Sequence, residues 1–154
     1  MPTMTKSEID AFLAEPVLAR ISTVRPDGRP HVAPMWFWWD GTSTYMETPP
    51  NAIKANNLRH NPNCAITIDV TQGGLRFKAV LLEGQAELLT DRQFVLETVT
   101  RIYTKYLGPE GVKSATPQRM IHNEHVIIKL TPGRVVTWDE TRAGLAPIHN
   151  ILGS

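Results

Sequence analysis

The chain has 154 residues, enough for one domain with a real core, and 16 Lys+Arg against 15 Asp+Glu leave a formal net charge of +1. So even a balance creates no broad field toward nucleic acid or anionic lipid, and any anion has to be held locally. The single cysteine, Cys64, excludes an internal disulfide framework and a multi-cysteine metal site.

The N-terminal stretch MPTMTKSEIDAFLAEP is polar, and nothing elsewhere approaches the roughly 20 apolar residues of a membrane span. A cytoplasmic protein with no membrane or nucleic-acid partner is the expectation, organised as one domain over 1–154 with the placement of 140–154 open. Thr5-Lys-Ser-Glu8 has capping-box spacing, and Ile9, Phe12 and Leu13 share a helical stripe that Glu15-Pro16 ends. Val17 to Val24 is β-branched and runs into Arg25-Pro-Asp-Gly28, a turn that returns the chain as a second strand, Arg29 to Trp39. That partner strand is apolar on both faces, which implies burial on one side and something other than water on the other. Its Pro34 cannot donate to a ladder, so an edge, a bulge or a ligand is expected there. Asp40-Gly41 then turns the chain into Thr44 to Thr48.

The stretch from Tyr45 to Pro62 organises the rest. A strand ends in Thr48, a Pro49-Pro50-Asn51 elbow follows, and a short helix starts near Ala52 carrying Lys54, Asn57 and Arg59. A helix N-terminus beside a hydroxyl and a lysine suits an anion, since free N–H groups and the positive dipole end converge there. The residues fit equally a plain strand-to-helix connection with Lys54 solvated. Beyond it, Cys64 to Thr71 alternates as a strand with one buried face, Gly73-Gly74 turns, and Leu75 to Glu83 carries Arg76 and Lys78 on one face. Gly84 suggests a bulge before Gln85 to Leu89. Thr90 and Gln93 have capping-box spacing for a long helix that stops at Leu107-Gly108-Pro109. A polar connector, Glu110 to Glu124, leads to a strand from His125 to Leu130, and Pro132-Gly133 turns into Val135 to Asp139. Six or more strands with tight turns, interrupted by one short and one long helix, indicate a mostly β fold, an antiparallel barrel with helical insertions.

The succession GRPHVAPMWFWWDGTSTYMETPPNAIKANNLRHNPNCAITIDV resembles the pyridoxamine 5'-phosphate oxidase-like split β-barrel superfamily, and within it the flavin- and deazaflavin-dependent oxidoreductases. Thr48, Lys54, Leu58 and Asn61-Pro62 carry the match. The resemblance implies a homodimer with cofactor sites at the subunit interface. It implies that Lys54 meets the cofactor phosphate, that Thr48 lies near the ring or ribityl chain, and that the strand through Pro34, Met35 and Trp36 runs along the ring. Trp36 and Trp38 stack on a ring or pack in the dimer interface, and Trp138 approaches from one subunit. The chain departs from the pattern at Ala52-Ile53, where relatives often carry Ser-Arg, and at Asn56, where deazaflavin binders often carry Arg. Asn57, Arg59, Arg76 and Lys78 are the remaining candidates, the arginines and the lysine as substitute phosphate ligands. Pro34-Met-Trp-Phe replaces the Arg-rich strand of true pyridoxamine phosphate oxidases, which speaks against that particular activity.

His122-Asn-Glu-His125 does not have zinc-helix spacing, and His31, His60 and His149 read as isolated. No Gly-rich nucleotide loop, nucleophile elbow or paired catalytic carboxylate appears, as expected where a cofactor supplies the chemistry. The expectation is an oxidoreductase that binds deazaflavin coenzyme F-420, or FMN, and passes hydride to a small, flat, conjugated substrate. The alternatives are a flavin- or haem-binding carrier or sensor without turnover, and a structural dimer with a vacant site.

Overall fold

The computed structural model describes residues 3–71, 73 and 77–141. Arg76 and residues 142–154 lie outside this set.

The capping box forms as expected, with Thr5 accepting from the Glu8 N–H and Glu8 accepting from the Thr5 N–H, and it starts α1 (Lys6–Ala14). Helix α1 drops Phe12 and Leu13 into the barrel core. Strands β1 (Ala19–Val24) and β2 (Pro30–Met35) pair antiparallel through the turn in which Gly28 takes φ +86°. The expected single strand to Trp39 is in fact broken. At Trp36-Phe37 the chain leaves β1, and β3 (Trp38–Trp39) pairs instead with β4 (Thr44–Thr48). The reason is side-chain packing: Phe37 is fully buried, its N–H is 3.3 Å from the Tyr106 hydroxyl that accepts it, and Trp36 stacks on the Tyr106 ring at 4.6 Å.

After α2 (Ile53–His60) come β5 (Asn63–Thr71) and the long β6 (Phe77–Leu89). The strand order is β2-β1-β5-β6-β7-β4-β3, with β7 (Val126–Leu130) and β8 (Arg134–Asp139) lying end to end along β6. All pairings are antiparallel, and the sheet with its helices is a split β-barrel. The expected bulge at Gly84 is absent, because β6 pairs β5 in continuous register through Cys64–Gly84. Glycine is required there for room: a Cβ would lie 3.1 Å from Leu130 Cδ1 and 3.2 Å from both Thr131 O and Gly133 N, where the β7–β8 turn crosses β6.

Helix α3 (Arg92–Gly111) is capped by Asp91, whose side chain accepts from the Phe94 N–H, rather than by Thr90. It breaks at Gly108 (φ +76°) before Pro109, where the sequence places its end. The connector holds a helix that the sequence reading missed, α4 (Ala115–Ile121). Its signal was Ser114 before an amphipathic turn, too short to show periodicity. Two cores result. Ile21, Phe37, Met46, Ile66, Leu82 and Ile128 fill the barrel, while Tyr45, Val99, Ile102, Tyr103 and Ile127 join α3 to the outer face of β4 and β7. Strand β4 therefore has two covered faces, with Met46 turned into the barrel and Tyr45 toward α3.

Candidate cofactor site

Helix α2 begins directly after the Pro49-Pro50 elbow, and its N-cap, Ala52, offers no side-chain acceptor to the first-turn N–H groups. Lys54 stands in that first turn, with no hydrogen bond or ion pair to the described residues. Partial burial lowers its pKa, and the Glu47 carboxylate works against that shift. The helix is fastened from below. Asn57 is buried, and its Nδ2 donates to Thr23 Oγ1 at 3.0 Å, locking α2 to β1. Thr23 pairs with His31 in the β1–β2 hairpin, so the same fastening brings His31 under Lys54. His31 is not isolated, contrary to the sequence reading. Burial first, then the charges of Arg25 and Lys54, hold its imidazole below the ordinary histidine pKa, and its Nδ1 is buried without a hydrogen-bond partner among the described residues. Three basic groups, Arg25, His31 and Lys54, thus share one field beside an uncapped helix start.

The sequence reading missed Arg25 and His31. Both flank the Pro26-Gly28 turn that the sequence does show, and hairpin pairing of His31 with Thr23 was the available signal.

The other candidates fall in different places. Thr48 shares the inward face of Met46; it is fully buried, with a hydroxyl that has no hydrogen-bond partner among the described residues. Arg59 Nη1 donates to Pro50 O and to Asn56 Oδ1, both at 2.8 Å, and so braces the elbow. Strand β2 is the free edge of the sheet, which is how Pro34 is accommodated. Its inward residues Ala33 and Met35 pack on the barrel core, and its outward residues Val32 and Pro34 are exposed, Val32 at 60%. Trp36 lies against α3, stacked on Tyr106 and edge-on to Tyr103 at 5.4 Å. Trp38 packs on Tyr45 and under the Arg101 guanidinium.

Lys78 and Trp138 sit at the other end of the sheet. Lys78 pairs with Val70 and with Asp139, and Trp138 pairs with Ala79. Val70 lies six residues along β5 from Cys64, the residue level with the Thr23 fastening, or about 20 Å at roughly 3.3 Å per residue. One chain therefore brings together Lys54, Asn57 and Arg59 but keeps Lys78 and Trp138 apart from them. Arg76 falls outside the described residues.

A cleft of about 570 Å³ opens beside the elbow between Pro50, Arg59, Arg92, His122 and His125. His125 is 3.2 Å from Glu47 through Nδ1, and its Nε2 is 2.8 Å from Met120 O. His122 Nδ1 contacts Gln118 O. Among the described residues no group of His, Cys, Asp and Glu is arranged to hold a metal ion, and no helix is long and apolar enough to cross a membrane.

A split barrel whose edge strand and helix start frame a local cationic corner belongs to a class of proteins that includes flavin-binding folds. A family model for pyridoxamine 5'-phosphate oxidase matches residues 5–139, and the chain belongs to that family. Among solved structures, a conserved hypothetical protein of Mycobacterium tuberculosis is 26% identical over 94% of this chain and 90% of its own, with a TM-score of 0.81. An F-420 reductase is also 26% identical, over 82% of this chain and 94% of its own, with a TM-score of 0.65. A FAD-binding protein of Mesorhizobium loti shares the fold at 19% identity, over 88% and 95% of the two chains, with a TM-score of 0.65. No curated protein matches the sequence.

Proposed function

We propose that the protein is an oxidoreductase that holds a phosphate-bearing flavin-type cofactor, coenzyme F-420 in the first place and FMN in the second, between two copies of the chain. The observation that carries this reading is the convergence of Lys54, Arg25 and His31 at the uncapped start of α2. The donor set fits a phosphate: among the described residues the first-turn N–H groups donate to no side-chain cap, His31 Nδ1 is buried without a partner, and Lys54 has no counter-ion in hydrogen-bonding contact. The bound cofactor supplies the hydride chemistry.

The chain's own residues do the rest. Lys54 and Arg25 neutralise the phosphate, and His31 adds a proton-bearing donor when it is protonated. Thr48, enclosed below the elbow, supports the corner from inside and holds its hydroxyl without a partner among the described residues. The exposed apolar edge of β2, with Val32 and Pro34, is a surface that a ring or a second subunit would keep dry. A second copy is also the means by which Trp138 and Lys78 reach a corner that lies about 20 Å away in their own chain. The substrate is a small conjugated molecule that the cofactor reduces. The F-420 reductase likeness supports F-420 as first choice.

Titration of the purified protein with F-420 and with FMN, followed by absorbance and fluorescence, tests the reading. Binding of one cofactor in the micromolar range, weakened at least tenfold in Lys54→Ala, is expected. Equal affinity of Lys54→Ala and the native protein overturns it. Oxidation of the pre-reduced cofactor by a chromogenic acceptor then separates an enzyme from a carrier.

A further inference from the structure

A second concave site shares no lining residue with the corner of Lys54, Arg25 and His31. It is a cleft of about 470 Å³ between the C-terminal end of α1, β3 and the middle of α3, walled by Leu13, Ala14, Trp38 and Trp39 and carrying Arg101 and Lys105. Its volume lies in the range of small-molecule sites, roughly 300–1,000 Å³. Its lining holds two cations and no carboxylate.

Lys105 is placed there by the fold. Its Nζ donates to Leu13 O at 2.8 Å and to Phe37 O at 3.1 Å, and it lies 3.6 Å over the Phe37 ring. An ammonium has three donors, two of which go to these carbonyls while the third is left to the Phe37 ring face or to a ligand. Among the described residues no acid neutralises it, and burial holds its pKa down to about 7. Arg101, one helical turn earlier, is exposed and rests on the Trp38 ring at 4.7 Å, again without an acid in contact. Thr100 and Thr104 also line the cleft, but both hydroxyls donate to backbone carbonyls of α3 and so present acceptors only.

A half-buried cation with no counter-ion among the described residues, a second cation resting on an indole and largely apolar walls make a receptor for one kind of molecule. From the cleft, its charge and its walls we infer that the protein binds a flat, largely apolar monoanion, an aromatic carboxylate, between Lys105 and Arg101, at a site separate from the Lys54 corner. The carboxylate takes the third Lys105 donor and the Arg101 guanidinium, and the ring lies against Leu13, Ala14 and the two indoles. The inference stands independently of the proposed cofactor.

Calorimetric titration of the full chain with 2-naphthoate, and with neutral 2-naphthamide as the charge control, tests it. The carboxylate is expected to bind at least tenfold more tightly than the amide. Its affinity should drop at least tenfold in Lys105→Met and in Arg101→Gln, and be unchanged in Lys54→Ala. Affinity in the native protein should also fall severalfold from pH 7 to 9 as Lys105 loses its proton, a slope that Lys105→Met abolishes. Arg101→Gln keeps every backbone bond of Lys105 and preserves the test if Lys105→Met fails to fold. Absence of binding, equal affinity for amide and carboxylate, or native affinity in Arg101→Gln overturns the inference. Loss of naphthoate binding in Lys54→Ala would also overturn it, because the anion would then occupy the cofactor corner.

Discussion

The Asn57 amide donates to Thr23 Oγ1 across 3.0 Å of closed interior, and that one bond joins the helix carrying Lys54 to the hairpin carrying Arg25 and His31. Removing the amide in Asn57→Ala leaves a cavity and a buried hydroxyl with one partner fewer, a cost of about 1–3 kcal/mol. At roughly 2–4 °C per kcal/mol for a chain of this size, Tm should fall by several degrees. Cofactor affinity should fall with it, although Asn57 touches no solvent. Thermal unfolding and cofactor titration of the same variant check both effects.

His31 makes cofactor binding depend on pH. Burial and the nearby Arg25 and Lys54 charges keep its pKa low in the free protein, so it is neutral at pH 8. A bound phosphate favours the imidazolium, so the complex takes up a proton and affinity rises as pH falls. A severalfold tighter Kd at pH 6.5 than at pH 8 is expected, and a flat profile in His31→Gln. Above pH 6.5 the second ionisation of a phosphomonoester such as FMN, near pH 6, contributes little, and a phosphodiester has none.

Stability should pass through a maximum near pH 9. Lys105 titrates at about 7 in the fold and near 10.5 when unfolded, so between these values the unfolded chain binds more protons and stability rises with pH. Cys64, raised to about 11, and Tyr45 and Tyr106, raised to about 12, act in the other direction. The unfolded chain releases those protons first, so stability declines from about pH 9 upward. Tm measured from pH 7 to 10 should climb and then fall. Lys105→Met should remove the climb and Cys64→Ala should delay the fall.

Gly84→Ala adds a methyl group 3.1–3.2 Å from Leu130, Thr131 O and Gly133 N. Two of those neighbours are backbone atoms of the turn between β7 and β8, which cannot rotate away. Overpacking of this kind costs about 1–3 kcal/mol, and Tm should drop accordingly. Because Gly84 pairs with Cys64, level with the Thr23 anchor of α2, the corner's affinity for cofactor should fall along with stability. Denaturant unfolding and a cofactor titration of the variant measure the two quantities separately.

Local chemistry in the sequence determined several elements of the fold. The Thr5–Glu8 capping box, the Pro26-Gly28 turn, the Thr44 to Thr48 strand, the helix after Pro49-Pro50 and the stop at Gly108-Pro109 all rest on neighbours in the chain, and all are visible in the residues. The family was legible for the same reason, through Thr48, Lys54 and Asn61-Pro62. Tertiary packing decided the rest. Trp36 and Phe37 look like strand residues until Tyr106 draws one into a stack and accepts a hydrogen bond from the other. Gly84 looks like a bulge until the β7–β8 turn comes to rest on it. Thr48 reads as the end of a strand, and only the pleat of β4 turns it inward beside Met46. His31 and Lys105 carry no motif at all, since their meaning comes from charges and carbonyls tens of residues away, which only the folded chain brings within reach.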